Sequence, residues 1–308
     1  VSRTDPESGT SRQSTPLAEF RCTRPVAFQW LVVSVVGFFV FAYGFGHALA
    51  ALQGRALEPI VIAAPSPAAV AGWLALSCVL VGPVVVLHET LHGVFMARYG
   101  GEPGYGFGVS YFVLPYAYAE TEGTSYTRTQ MLVILLAPVV GITTLGLAAM
   151  VAVPSPVLIV PLAANAAGSI GDLWMAGALL QYPSGVRVAG LPDADVQGFG
   201  IYPEPGRRVD RLPGAAFLST IVSGAVGTLA VLVTGLLGLV LGSLAVGSGT
   251  VVLGNPNGRW FLFRHVLYSD GSVSLEIGDA LAFGLATLGG IGWGVVAELR
   301  TRLEWFGP

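Results

Sequence analysis

Val84-Val85-Val86-Leu87-His88-Glu89-Thr90-Leu91-His92-Gly93-Val94-Phe95-Met96-Ala97 sets two histidines and a glutamate inside an apolar run. Burying imidazoles and a carboxylate among aliphatic side chains costs free energy unless something partners them, and a metal ion is such a partner. The residues spell H-E-x-x-H. On a helix the histidines stand at i and i+4 on one face, able to grip one Zn²⁺, and the glutamate beside them is placed to act as general base. The pattern points to a membrane-embedded metalloprotease.

The apolar run around the motif is not isolated. Hydrophobic residues make up 53% of the chain and charged residues 11%, with a mean hydropathy of +0.70; soluble domains carry about 25% charged residues. Six segments (26–52, 70–97, 130–153, 157–181, 215–247 and 279–298) are apolar over roughly the 20 residues needed to cross a hydrocarbon core. The expected fold is an all-α polytopic membrane protein. It would have a re-entrant or hairpin loop after the second helix and a small outward-facing β-meander between the fifth and sixth. Three regions are expected: a disordered cytoplasmic tail (1–25), a membrane core with the first four helices and the H-E-x-x-H motif (26–214), and the last two helices (215–308) with the meander at 250–277.

The first twenty-five residues are polar and lack a short apolar stretch ending in a small-residue site, so the first helix is expected to stay as an anchor and not to be cleaved. Cys22 lies in the polar tail and Cys78 inside the second helix, and they are not expected to pair. All 15 basic residues are arginines. Those at 3, 12, 21, 24, 98, 128, 187, 207, 208, 211, 300 and 302 fall in the tails and even-numbered connections, leaving only Arg55, Arg259 and Arg264 in the first and fifth. The positive-inside rule then places both termini in the cytoplasm. An odd number of crossings would spoil the bias, so the tally supports six.

With that orientation the second and fourth helices run the same way. His92 and His88 precede Arg98 by six and ten residues, and Asp172 precedes Gln181 by nine. At 1.5 Å per residue the three side chains lie within about one turn of the same depth. Asp172 ends the small-residue stretch Ala163-Ala164-Asn165-Ala166-Ala167-Gly168-Ser169-Ile170-Gly171-Asp172, a composition that lets membrane helices approach closely. Asp172 reads as a third ligand, the alternative being a carboxylate bonded to neighbouring backbone. Asn165, two turns earlier, reads as a hydrogen-bond donor to substrate or to a developing oxyanion. His47 is the other ionisable group inside a span. It reads as a histidine bonded between helices, with a proton-shuttle or extra-ligand role as the alternative.

Several stretches carry a resemblance: His88-Glu89-Thr90-Leu91-His92-Gly93, the aromatic and Gly-rich segment after it, Arg128-Thr129-Gln130 leading into Leu136-Ala137-Pro138, Asn165-x-x-Gly168-Ser169-x-Gly171-Asp172, and Gly198-Phe199-Gly200-Ile201-Tyr202. Over roughly residues 80–205 the chain resembles the zincin peptidase family catalogued as domain of unknown function 3267. More distantly it looks like the site-2 protease class of intramembrane zinc metalloproteases. In that class an H-E-x-x-H helix and an aspartate on a second helix make the site, with an asparagine upstream of the aspartate. The likeness implies a Zn²⁺ held by His88, His92 and Asp172, with Glu89 and Asn165 as catalytic residues. It departs from the site-2 pattern in having Gly168-Ser169 where a proline-rich stretch is usual, and Leu173 instead of glycine after the aspartate.

The segment 101–127 alternates aromatic and β-branched residues with glycines, which suggests a hairpin. One reading gives it an exposed strand edge that holds an extended substrate by β-addition; the other makes it a loop dipping its tyrosines into the headgroup zone. The connection 182–214 is Pro/Gly-rich with short strands expected at 186–188 and 199–202, placed to cap the site. In 250–277, Asn255-Pro256-Asn257-Gly258 and Ser269-Asp270-Gly271-Ser272 mark turns between strands. His265 there is expected at the surface, and Gly238-x-x-x-Gly242 is expected to pack a helix.

The function expected is hydrolysis of peptide bonds in membrane-associated substrates by zinc-activated water, with Glu89 as base. The competing reading is a non-proteolytic scaffold or a metal-handling transporter built on the same motif. The partners expected are a membrane-protein or peptide substrate and the lipid bilayer, with no nucleic acid. The location expected is the cell membrane.

Overall fold

A computed structural model describes residues 15–62, 66–109, 115–121, 123–191, 198–204, 209–247 and 249–305. The expected apolar runs become helices α1 (Arg24–Leu52), α2 (Pro67–Arg98), α3 (Arg128–Ala152), α4 (Ile159–Gly168), α5 (Ile170–Leu179), α6 (Ala215–Val246) and α7 (Asp279–Trp305). Five of them are each long and apolar enough to cross a membrane. Their outer surfaces are bare hydrocarbon, as at Trp73, Leu74 and Val79 of α2, an arrangement that lipid stabilises and water does not.

The fourth apolar segment is not one helix. After a 3-10 turn at Pro156–Leu158, α4 and α5 meet at Ser169 with a 40° bend, so that the pair makes a sixth span only if counted together. The break has a local cause. Gly168-Ser169 is a pair that kinks helices, and the Ser169 hydroxyl donates to the Asn165 carbonyl at 2.9 Å, competing with the helical ladder.

The connections, not the spans, correct the expected fold class. Ten strands form three sheets among the described residues, so the fold is mixed α/β and not all-α. Hydropathy finds segments that satisfy their own backbone, whereas strands need partners distant in sequence. The first sheet has the order β1-β7-β6-β5, built from β1 (Ala18–Arg21), β5 (Ser125–Thr127), β6 (Val186–Gly190) and β7 (Gly198–Pro203). Part of the expected tail is thus an edge strand, with Phe20 opposite Phe199. The second sheet has the order β2-β10-β9-β8, from β2 (Ile60–Ile62), β8 (Thr250–Gly254), β9 (Phe261–Leu267) and β10 (Val273–Ile277). Between α2 and α3, β3 (Gly104–Val109) and β4 (Pro115–Glu120) form a two-stranded antiparallel hairpin.

The first sheet levels the helices that matter. Val186, Val188, Phe199 and Ile201 pack their apolar face onto Leu135 of α3 and Ala176 and Leu179 of α5 in one buried cluster. The start of α3 is fixed by a capping box, in which the Thr127 hydroxyl accepts from the Gln130 amide and the Gln130 side chain accepts from the Thr127 amide. The Arg128 guanidinium donates to the Tyr182 carbonyl just past α5. Deeper, Gly146 of α3 lets Leu162 of α4 approach where a Cβ would stand 2.3 Å from its side chain.

The expected packing motif at Gly238-x-x-x-Gly242 is not used for helix contact: a Cβ at either glycine would meet nothing within 4 Å. The close approach between α6 and α7 comes instead from other glycines on both helices: Gly224 of α6 lies against Trp293, and Gly290 of α7 against the Ile221 carbonyl and Ala225.

Candidate metal centre

In α2 the buried residues are His88, His92 and Gly93. A 32-residue apolar helix thus buries its two imidazoles more completely than any of its aliphatic side chains. The buried residues of α5 include Asp172, in its first turn. The bend at Ser169 aims Asp172 at α2, while Asn165 reaches the same place from α4.

The two histidine rings meet edge to face with centroids 4.9 Å apart. His88 Nε2 and His92 Nε2 are separated by 3.2 Å, and Asp172 Oδ2 lies 3.2 Å from the first and 3.5 Å from the second. The outer nitrogens are anchored. His92 Nδ1 is 2.8 Å from the Ile134 carbonyl oxygen, which can only accept, so Nδ1 carries the proton and donates. His88 Nδ1 is 3.1 Å from Asn165 Oδ1, and the Asn165 amide nitrogen donates to the Pro138 carbonyl at 3.4 Å, which fixes the amide's orientation.

With the Nδ1 atoms turned to acceptors, the two Nε2 atoms and a carboxylate oxygen face one another. A cation at its centre would satisfy such a set, and the ligand atoms suit zinc in type and spacing. Ligand atoms at tetrahedral zinc lie about 3.3 Å apart, as follows from bonds of about 2.0–2.1 Å. Three protein ligands is also the number found at catalytic zinc sites, where the fourth place is kept for water or substrate.

The sequence-predicted residues therefore separate by job. His88, His92 and Asp172 come together as a possible metal-ligand set. Asn165 sets its Oδ1 against His88 Nδ1 and spends one of its two amide hydrogens on the Pro138 carbonyl. Glu89 is half-buried beside them, and its carboxylate accepts a hydrogen bond from the Ala119 amide of β4. Tyr105, the cross-strand partner of Ala119, sets its hydroxyl over Gly93, where a Cβ would stand 1.9 Å from the oxygen. One rung of the hairpin thus lies on the Glu89–Gly93 turn of α2. Neither Ala119 nor the Ile134 carbonyl carries a side-chain signal that sequence reading can detect. The glycine after His92 was the visible clue to close approach.

The two remaining histidines lie elsewhere. His47 Nε2 is 3.4 Å from Asp279 Oδ2, and the Tyr43 hydroxyl donates to Asp279 Oδ1 at 2.7 Å, a link between α1 and α7. His265, expected at the surface, is fully buried, with Nε2 2.9 Å from the Ser243 hydroxyl. Strand alternation puts His265 in phase with buried Phe263, so that it faces inward.

A buried His-His-Asp set with an adjacent glutamate, among helices of membrane-spanning length, makes a candidate metal centre. Residues 81–187 match the family model described as "Putative zincin peptidase", domain of unknown function 3267. That segment contains His88, Glu89, His92, Asn165 and Asp172. No curated protein and no solved structure matches the chain.

Proposed function

We propose that this protein is an intramembrane zinc metalloprotease, of the site-2 protease type, that cuts membrane-associated polypeptides near the cytoplasmic face of the cell membrane. The observation that carries the reading is the convergence of His88 Nε2, His92 Nε2 and Asp172 Oδ2 with both Nδ1 atoms committed to acceptors. When bound there, zinc supplies Lewis acidity that makes water nucleophilic near neutral pH and polarises a peptide carbonyl.

The chain's own groups do the rest. His88, His92 and Asp172 hold the ion, with Asn165 and the Ile134 carbonyl keeping the imidazoles in the binding tautomer. Glu89 accepts the proton of the attacking water and returns it to the leaving amine nitrogen. The edge of β4 that presents Ala119 to Glu89 offers backbone groups to an extended substrate, which would bring a peptide bond alongside the base. Both termini and the first sheet then lie on the cytoplasmic side, consistent with the arginine distribution.

A metal-handling transporter is less well supported. Transporters of this kind pair their broken helices across two repeats, and among the described residues one broken pair is present. The test is metal analysis of the purified protein together with peptide release from an extended, membrane-inserted substrate. Stoichiometric zinc and cleavage that disappears in Glu89→Gln are expected. Zinc without any cleavage by the wild type would favour the scaffold reading.

A further inference from the structure

Pro138 lies in the middle of α3 and is buried. A proline has no N–H, so the carbonyl four residues earlier loses its helical partner, and the ring crowds that carbonyl outward. Four residues before Pro138 is Ile134, whose carbonyl oxygen is the atom 2.8 Å from His92 Nδ1. An orphaned carbonyl inside an apolar bundle is costly unless a donor reaches it, and His92 is that donor.

From this we infer that Pro138 is a positioning residue for the metal centre: by withholding its own N–H it frees the Ile134 carbonyl to set the tautomer and angle of His92. The inference rests on the metal-site reading above. Pro138 touches no substrate and no reacting atom; it acts through Ile134 and His92. Its own carbonyl serves the other ligand, since it accepts from the Asn165 amide that holds His88. The two arms differ chemically. Only the His92 arm depends on the missing N–H, because any residue at 138 keeps the carbonyl.

That difference makes the test specific. In Pro138→Ala the restored N–H bonds back to the Ile134 carbonyl and competes with His92. Three results are expected: tighter packing of α3, seen as a raised thermal midpoint of the metal-free protein; a zinc Kd weakened by roughly 10- to 100-fold, the range for losing a ligand's orienting partner; and, in metal-free protein with ¹⁵N-labelled histidine, a His92 Nδ1 resonance moved from its hydrogen-bonded, protonated position while His88 stays put. Replacing residue 138 with the α-hydroxy acid lactate, which has neither ring nor N–H, should restore both the zinc affinity and the His92 resonance. Zinc affinity and the His92 resonance both unchanged in Pro138→Ala would overturn the inference, as would a lactate variant that behaves like alanine. The metal-free resonance stands whether or not the wild type cleaves peptides. Failure of the function reading would appear separately, as a wild type that binds no zinc.

Discussion

Two buried histidine sites in this molecule look alike by exposure and differ in wiring. At the α2–α5 end each imidazole is anchored through Nδ1, and the Nε2 atoms are left pointing at a carboxylate. At the β9–α6 end His265 spends Nε2 on the Ser243 hydroxyl, and its Nδ1 has no hydrogen-bond partner among the described residues. The first arrangement turns three potential ligand atoms toward one point; the second pins a sheet to a helix. What separates a ligand from a strut is thus which nitrogen is committed and whether other donors converge on the free one.

The sharpest way to break the contrast is at Glu89. Glu89→Gln should lower peptide hydrolysis by about 10²- to 10⁴-fold, the size of a general-base contribution, with zinc content unchanged. Product release and metal analysis on the same preparation check it, and loss of zinc would mean that Glu89 belongs to the ligand set. Next comes the anchoring of His88. Asn165→Ala should weaken zinc binding by roughly 10- to 100-fold, measured by competition with a chromophoric chelator. An unchanged affinity would show that the imidazole needs no orienter.

The other end should respond in stability and not in metal. Ser243→Ala leaves His265 with neither nitrogen bonded and should cost about 1–2 kcal/mol in unfolding free energy, with zinc affinity unmoved. A zinc loss there would erase the distinction between the two sites. The smallest effect is expected at the exposed Glu298–Arg302 pair, 3.0 Å apart on the last turns of α7, where Arg302→Ala should cost about 0.3–0.5 kcal/mol or less.

The helices were legible because a membrane span advertises itself in composition. The site was legible in part for a related reason: charged or ionisable groups stand out against an apolar background, and His88, Glu89, His92 and Asp172 were found that way. What stayed hidden is carried by backbone. Ala119 contributes an amide and Ile134 a carbonyl, and neither leaves a mark on its side chain. The Ser169 break was masked because Gly168-Ser169 reads equally well as close packing. The sheets were missed as architecture because pairings such as Phe20 with Phe199 join residues far apart in the chain. His265 shares a strand face with Phe263, but Leu262 and Val266 make the opposite face apolar too, so alternation did not mark which side is buried.

The pairing of β2 with β10 also sets an order of assembly. Ile60 lies opposite Leu275, so everything from residue 63 to residue 272 is synthesised before the short strand after α1 finds its partner. At roughly 5–20 residues per second that is a wait on the order of ten to forty seconds. By then α2 through α5, with His88, His92 and Asp172, have long left the ribosome. The end of the molecule that holds the candidate metal centre is therefore complete in sequence while the clasp joining the loop after α1 to the last sheet is still open, and that clasp is among the last contacts the newborn chain makes.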